Sequence, residues 1–160
     1  MTDRRRWRNR IVGEGEEAPD QLLANPRQWK IHPYTQQESM AAVLEHVGWI
    51  QRVVVNRITG SVIDGHMRVG MAISAGEPSI PVVYVELSQE EEEAAIATFD
   101  QLTGMAGTDK EMLGELLFDV AQRESDETPL GQFVASLANG KTKRSEKELE
   151  CPECGARFAA

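Results

Sequence analysis

The order of apolar and turn-forming residues between positions 52 and 85 constrains this chain more than any other feature. Val53-Val54-Val55 and Val62-Ile63 are β-branched runs separated by Arg57-Ile58-Thr59-Gly60, a pattern that predicts a hairpin. Asp64-Gly65 follows the second run. Residues 67–75 then carry apolar side chains at helical spacing, Gly76 and Pro78 stop that helix, and residues 80–85 return as a strand. Strand, helix and strand in such short order bury their apolar sides as a sheet with a helix laid on it. The expected class is α+β, a small mixed sheet with packed helices, followed by a helical C-terminal half.

Asp64-Gly65-His66-Met67-Arg68 would then lie at the far end of the hairpin and at the start of the helix. A helix N-terminus leaves backbone N–H groups without intrahelical partners and carries a partial positive charge. An oxyanion there gains hydrogen bonds and dipole attraction together. Gly65 lets the backbone come close, Arg68 adds a planar cationic fork, and His66 adds a donor whose charge is adjustable near neutral pH. The same five residues also suit a structural role, with Asp64 capping the helix, Gly65 turning the chain and Arg68 solvated in the first turn. A third use is catalytic: Asp64 could hold a divalent metal such as magnesium while His66 and Arg68 hold phosphate. No cluster of acidic ligands of the two-metal nuclease kind is identifiable in the sequence.

Upstream, Leu22-Leu23 leads into Asn25-Pro26-Arg27, and residues 29–31 read as an early strand or extended segment. Thr35-Gln36-Gln37-Glu38 has the form of a capping box, with Met40, Val43, Leu44 and Val47 at helical spacing before Gly48. Downstream, Ser88-Gln89-Glu90-Glu91 opens a helix through Phe99. Thr108-Asp109-Lys110-Glu111 opens a second with Met112, Leu113, Leu116, Leu117 and Val120, and Pro129 suits the first turn of a third. The acidic run 90–93 reads as a solvated first turn favoured by the helix dipole. The apolar faces are expected to cover the sheet, and any exposed remainder implies a homodimer or a partner protein.

At 160 residues with 41% hydrophobic content, the chain can bury one core. The expected layout is a basic then acidic flexible arm (1–20, its acidic part a polar linker over 14–20), a core (21–87), a helical extension (88–138), a linker (139–150) and a tail (151–160). The first ten residues hold five arginines and one aspartate, +4 against a net charge of −9, so the remainder carries −13. An acidic body repels a phosphate backbone, which excludes broad coating of DNA and leaves the arm, with Trp7 among its arginines, as the possible DNA contact. A disordered, solvated start is the other reading of that arm. No apolar run approaches the roughly 20 residues a membrane span needs, and Arg4-Arg5-Arg6-Trp7-Arg8 precedes no signal-type apolar region, so a cytoplasmic protein is expected. Cys151 and Cys154 form one Cys-x-x-Cys pair with Gly155 behind it. That is half of a tetrahedral zinc site, to be completed by a second chain, by histidines or by further sequence; an idle reduced pair is the alternative.

Taken in order, Asn25-Pro26-Arg27, His32-Pro33, Gly48-Trp49-Ile50-Gln51, Val53-Val54-Val55-Asn56, Asp64-Gly65-His66-Met67-Arg68 and Ile80-Pro81-Val82 resemble the ParB/sulfiredoxin-like superfamily over roughly residues 19 to 118. The small ParB-like domains of phages and mobile elements, often called ParB-like nucleases, are the nearest in pattern. The resemblance implies a ParB/sulfiredoxin-like mixed sheet, with Gly65, His66, Met67 and Arg68 holding nucleotide phosphates, and Arg27 and Gln51 contributing. CTP or ATP, with magnesium, is the implied ligand, and the C-terminal CPECG segment resembles a single zinc knuckle held by Cys151 and Cys154. Sulfiredoxins place a reactive cysteine where Gly65 stands, so repair of oxidised cysteine is not implied. Partition ParB proteins carry a Gly-Glu-Arg-Arg element and a helix-turn-helix domain, neither of which is visible here. The function implied is nucleotide-phosphate binding in DNA maintenance, modification or packaging of a phage or mobile element. A nuclease, nucleotide hydrolase or phosphotransferase acting through Asp64 and His66, and a non-catalytic DNA- or protein-binding adaptor, are the alternatives.

Overall fold

The computed structural model describes residues 7–140 and the backbone of 149–150 and 157–158. In chain order the elements are β1 (Ile11–Glu17), a 3₁₀ turn (Pro19–Gln21), α1 (Tyr34–Val47), β2 (Val53–Asn56), β3 (Val62–Asp64), α2 (His66–Ala75), β4 (Ile80–Val85), α3 (Gln89–Gly104), α4 (Lys110–Ala121), α5 (Pro129–Ala138), β5 (Leu149–Glu150) and β6 (Arg157–Phe158). They divide into two compact units, Met1–Trp29 with Trp49–Ala106, and Lys30–Gly48 with Gly107–Ala160. α3, placed in the expected helical extension, belongs to the first unit, and α1, placed in the expected core, belongs to the second.

The first unit is built on a four-stranded mixed sheet in the order β1-β4-β2-β3. β2 and β3 pair antiparallel as the expected hairpin, β2 and β4 pair parallel, and β1 pairs antiparallel with β4. Val53, Val55, Val62, Val69, Ala72, Ile80 and Val82 form the core, with Leu22, Trp49 and Tyr84 packed against it. Val53, Val62, Ile80 and Val82 are the most deeply buried apolar side chains, and each contributes about 1.5–3 kcal/mol relative to exposure. This is the α+β architecture that the β-branched runs and the period of α2 call for.

β1 corrects the sequence reading. The sequence predicts a polar linker over 14–20, yet Ile11–Glu17 is an edge strand paired with β4, from Ile11 opposite Val85 to Glu17 opposite Ile80, with a shift of register between Ile11 and Gly13. Its side chains are mostly exposed, so no hydrophobic alternation marks it, and main-chain pairing holds it. Gly13 and Gly15 face the Tyr84 ring, and the Tyr84 hydroxyl donates to the Glu17 carboxylate. Glutamates along an exposed edge also discourage further strand pairing.

In the second unit, Ala42, Leu130 and Val134 form the core, with Val43, Leu117, Val120 and Ala121 against it. α1 starts at Tyr34 with Pro33 at its N-cap and no side-chain cap, so the expected Thr35 capping box does not form. Pro33 presets the turn, and Gln37 donates instead to the His32 carbonyl at 3.0 Å. α4 opens where expected and is capped by Asp109, and Pro129 occupies the first turn of α5 as expected, behind a Thr128 cap. Met112, Leu116 and Phe118 of α4 remain exposed. β5 and β6 pair antiparallel; Cys151 and Cys154 lie outside the described residues, as do Arg4, Arg5 and Arg6.

Candidate phosphate site at the start of α2

β3 ends at Asp64, and Gly65 turns the chain directly into α2 with φ 99° and ψ 15°, a left-handed conformation. A Cβ there would come within 3.0 Å of Val53 Cγ2, 3.3 Å of Val53 Cα and 3.4 Å of Arg68 Nη2. Both the backbone angle and the space therefore require glycine. No side chain caps α2, whereas Ser88, Asp109 and Thr128 cap α3, α4 and α5. The amides of its first turn thus keep the partial positive charge that favours an anion.

Arg68 is not a solvated first-turn side chain. Only 7% of the residue is exposed; Nη1 donates to the Gln51 carbonyl at 2.6 Å and Nη2 to Asp64 Oδ2 at 2.9 Å. The guanidinium is held against Gly65 at the mouth of the helix, and the Asp64 carboxylate already balances its charge. Asp64 is therefore a partner of Arg68 rather than the helix cap, a place taken by Gly65. Gln51 enters through its main chain.

His66 opens α2, and its Nε2 accepts the Asn25 backbone N–H at 3.2 Å. Asn25 Oδ1 accepts from Arg27 N at 2.9 Å and its carbonyl from Gln28 N at 3.0 Å, so Asn25-Pro26-Arg27 is a tight turn fastened to the start of α2. Arg27 is solvated and lies 3.6 Å from Glu93. Beside His66 is a cavity of about 190 Å³, otherwise lined by Leu22, Ala24, Val62, Val69, Gly70 and Ile73. Small-molecule sites usually enclose about 300–1,000 Å³, so this one suits part of a ligand. A larger open hollow on α4, about 490 Å³, is lined by Gly114, Glu115, Phe118 and Asp119, where two carboxylates disfavour a phosphate.

Sequence reasoning missed Glu92. A solvated run is expected over 90–93, yet Glu92 is 6% exposed and accepts from Asn25 Nδ2, Asn56 Nδ2 and Thr59 Oγ1 at 2.7, 2.6 and 2.6 Å. The signal was its position three and four residues before Ala95 and Ile96, which share the buried face of α3. Glu91 behaves differently. It completes a capping box with Ser88 and binds Arg10 through both oxygens at 2.9 and 2.5 Å, with Arg8 at 3.5 Å. Two arginines of the basic arm are thus already paired, while Trp7 is 96% exposed. The Ser88 amide and then Arg10 hold the Glu91 carboxyl below its ordinary value.

Among the described residues, no group of three or more His, Cys, Asp or Glu side chains could hold a metal ion, and no helix is long and apolar enough to cross a membrane. No family model matches the chain, and no curated protein does. Solved structures do. A C-terminally truncated chromosome-partitioning protein ParB from Caulobacter crescentus, complexed with CTP-gamma-S, superposes with a TM-score of 0.55 at 20% identity, covering 81% of this chain and 72% of that one. Two structures of a pNOB8-like ParB N-domain match with TM-scores of 0.46 and 0.49 at 17% and 16% identity, covering 95% and 96% of this chain but 59% and 56% of theirs. With a mixed four-stranded sheet, packed helices and the Caulobacter superposition in agreement, the chain has a ParB-like fold.

Proposed function

We propose that this protein binds the phosphates of a nucleotide at the start of α2 and acts in DNA maintenance, modification or packaging of a phage or mobile element. The observation that carries the reading is the uncapped, glycine-led N-terminus of α2, built against a buried guanidinium. The amides of His66, Met67 and Arg68 supply hydrogen bonds, and Gly65 supplies the close approach. Arg68 supplies charge that an arriving phosphate would share with Asp64. Arg27, solvated on the turn that His66 fastens and paired only at 3.6 Å with the partly exposed Glu93, is a second cation within the chain's reach of the site. The CTP-gamma-S complex of the Caulobacter ParB makes a cytidine nucleotide the first ligand to test. Apolar residues exposed on α3 and α4, Phe99, Leu102, Met112 and Leu116 among them, support association with a second copy or a protein partner.

Isothermal titration with CTP, ATP, GTP and ADP, with and without magnesium, tests the reading. Arg27→Ala removes an exposed group and should weaken binding by about 1.5–3 kcal/mol, roughly tenfold or more, with the fold intact. No heat with any nucleotide, or unchanged affinity in both Arg27→Ala and a folded Arg68→Ala, would remove its basis. Roles for Asp64 and His66 in hydrolysis or DNA cleavage require magnesium- or manganese-dependent turnover that disappears in Asp64→Ala and His66→Ala. A zinc knuckle at Cys151 and Cys154 requires stoichiometric zinc that is lost on replacing both cysteines by serine.

A further inference from the structure

Glu92 lies in the first full turn of α3, with its N–H donated to the Ser88 carbonyl at 2.9 Å. Its oxygens receive three neutral donors: Asn25 Nδ2 on Oε1, and Asn56 Nδ2 and Thr59 Oγ1 on Oε2. No cation is among its partners in the described residues. A buried carboxylate without a counter-charge is costly to desolvate, so its value lies in the geometry it imposes. The donors come from three separate segments: the Asn25 turn, the end of β2 and the β2–β3 turn.

Asn25 is the donor that also reaches α2. Its Oδ1 accepts from the Arg27 amide, which can only donate, so Nδ2 must face Glu92 and the carboxamide cannot flip. The Asn25 amide donates to His66 Nε2. That bond needs the ring lone pair at Nε2, so the ring hydrogen is on Nδ1. We infer that Glu92 is a positioning residue for the α2 site: through Asn25 it holds His66 in its Nδ1–H tautomer and sets where Arg27 leaves the turn. The link to ligand binding rests on the proposed phosphate site; the tautomer does not.

The test reverses one hydrogen bond. Glu92→Gln alone sets a carboxamide donor against Asn25 or Asn56, and Asn25→Asp alone sets two carboxylates together. Combining Asn25→Asp with Glu92→Gln restores the match: the carboxamide nitrogen introduced at position 92 donates to one oxygen of the carboxylate introduced at position 25. The other carboxylate oxygen still accepts from the Arg27 amide, and the carboxamide oxygen at position 92 still accepts from Asn56 and Thr59. Long-range ¹H–¹⁵N correlation of the His66 ring, and titration with CTP and magnesium, are read for all four proteins. Wild type should show the Nδ1–H pattern. Each single variant should lose it and bind about tenfold more weakly. The double variant should recover the pattern, and affinity to within about threefold. An Nε2–H tautomer in wild type, a wild-type ring pattern in a folded single variant, or a folded double variant without the Nδ1–H pattern overturns the inference. Should the single variants not fold, a double variant that folds again with the Nδ1–H pattern supports the inference, and one that does not fold overturns it. Absent CTP binding by wild type defeats the phosphate reading alone, and the ring spectra then judge Glu92 separately.

Discussion

Two glycines five residues apart in the α2 segment should respond to alanine with opposite signs. At Gly65, φ of 99° lies in the region L-residues avoid, and a Cβ would sit 3.0 Å from Val53 Cγ2 and 3.3 Å from Val53 Cα. The left-handed conformation costs a non-glycine residue about 1–2 kcal/mol. Crowding against a β2 backbone atom that cannot swing aside adds about 1–3 kcal/mol. Gly65→Ala should therefore destabilise by roughly 3 kcal/mol, a factor of about a hundred in the folding equilibrium. Gly70, inside α2, has nothing within 4 Å of its Cβ position, so Gly70→Ala should stabilise by about 0.5–1 kcal/mol through helix propensity. Urea denaturation followed by tryptophan fluorescence measures both, because Trp49 packs against the core that contains Val53; replacing the exposed Trp7 by phenylalanine reduces background. A Gly65→Ala variant as stable as wild type, or a Gly70→Ala variant that loses as much, would refute the close-approach argument for the α2 mouth.

Asn56 is fully buried and satisfies Leu87 N, Leu87 O, Ile58 N and Glu92. Asn56→Ala leaves several of these unpaired, so it should cost at least about 3 kcal/mol by chemical denaturation, and a loss below about 1 kcal/mol would contradict the network. Thr128 Oγ1 accepts from Gly131 N at 3.0 Å at the start of α5; Thr128→Ala should cost about 1 kcal/mol, seen as faster amide exchange in the first turn of α5. Glu91 has a folded pKa lowered from 4.5, first by the Ser88 amide and then by Arg10. Its contribution to stability is therefore full above pH 4.5 and is lost as pH falls through the lower folded value. A carboxyl NMR titration with its midpoint at or above 4.5 would disprove the contact, and Arg10→Ala should raise the midpoint.

Locally encoded features were legible. The β2–β3 hairpin, α2 closed by Gly76, β4, the helix start at Ser88-Gln89-Glu90-Glu91 and Pro129 in the first turn of α5 each depend on chemistry within a few residues, and each forms where the pattern puts it. Gly65 and Arg68 were legible as residues, but their surroundings were not. The closeness of Val53, and the hold of Asp64 and Gln51 on the guanidinium, appear only once β2 and β3 pair. β1 escaped notice because an exposed edge strand is specified by the main-chain groups of β4, which any residue can present. Thr35 carries a capping pattern, but Pro33 presets an earlier start.

By itself, then, the sequence determined an α+β domain with a glycine-led helix behind a hairpin, because hydrophobic period and turn chemistry act at short range. The tertiary structure alone decided that Arg68 is buried and ion-paired, that Glu92 is an interior anchor rather than a solvated acid, and that the Asn25 turn is fastened to His66. These are contacts across 41 and 67 residues of chain as well as four. The long-range partners of a polar side chain depend on which segments the sheet brings together, and no local pattern records that.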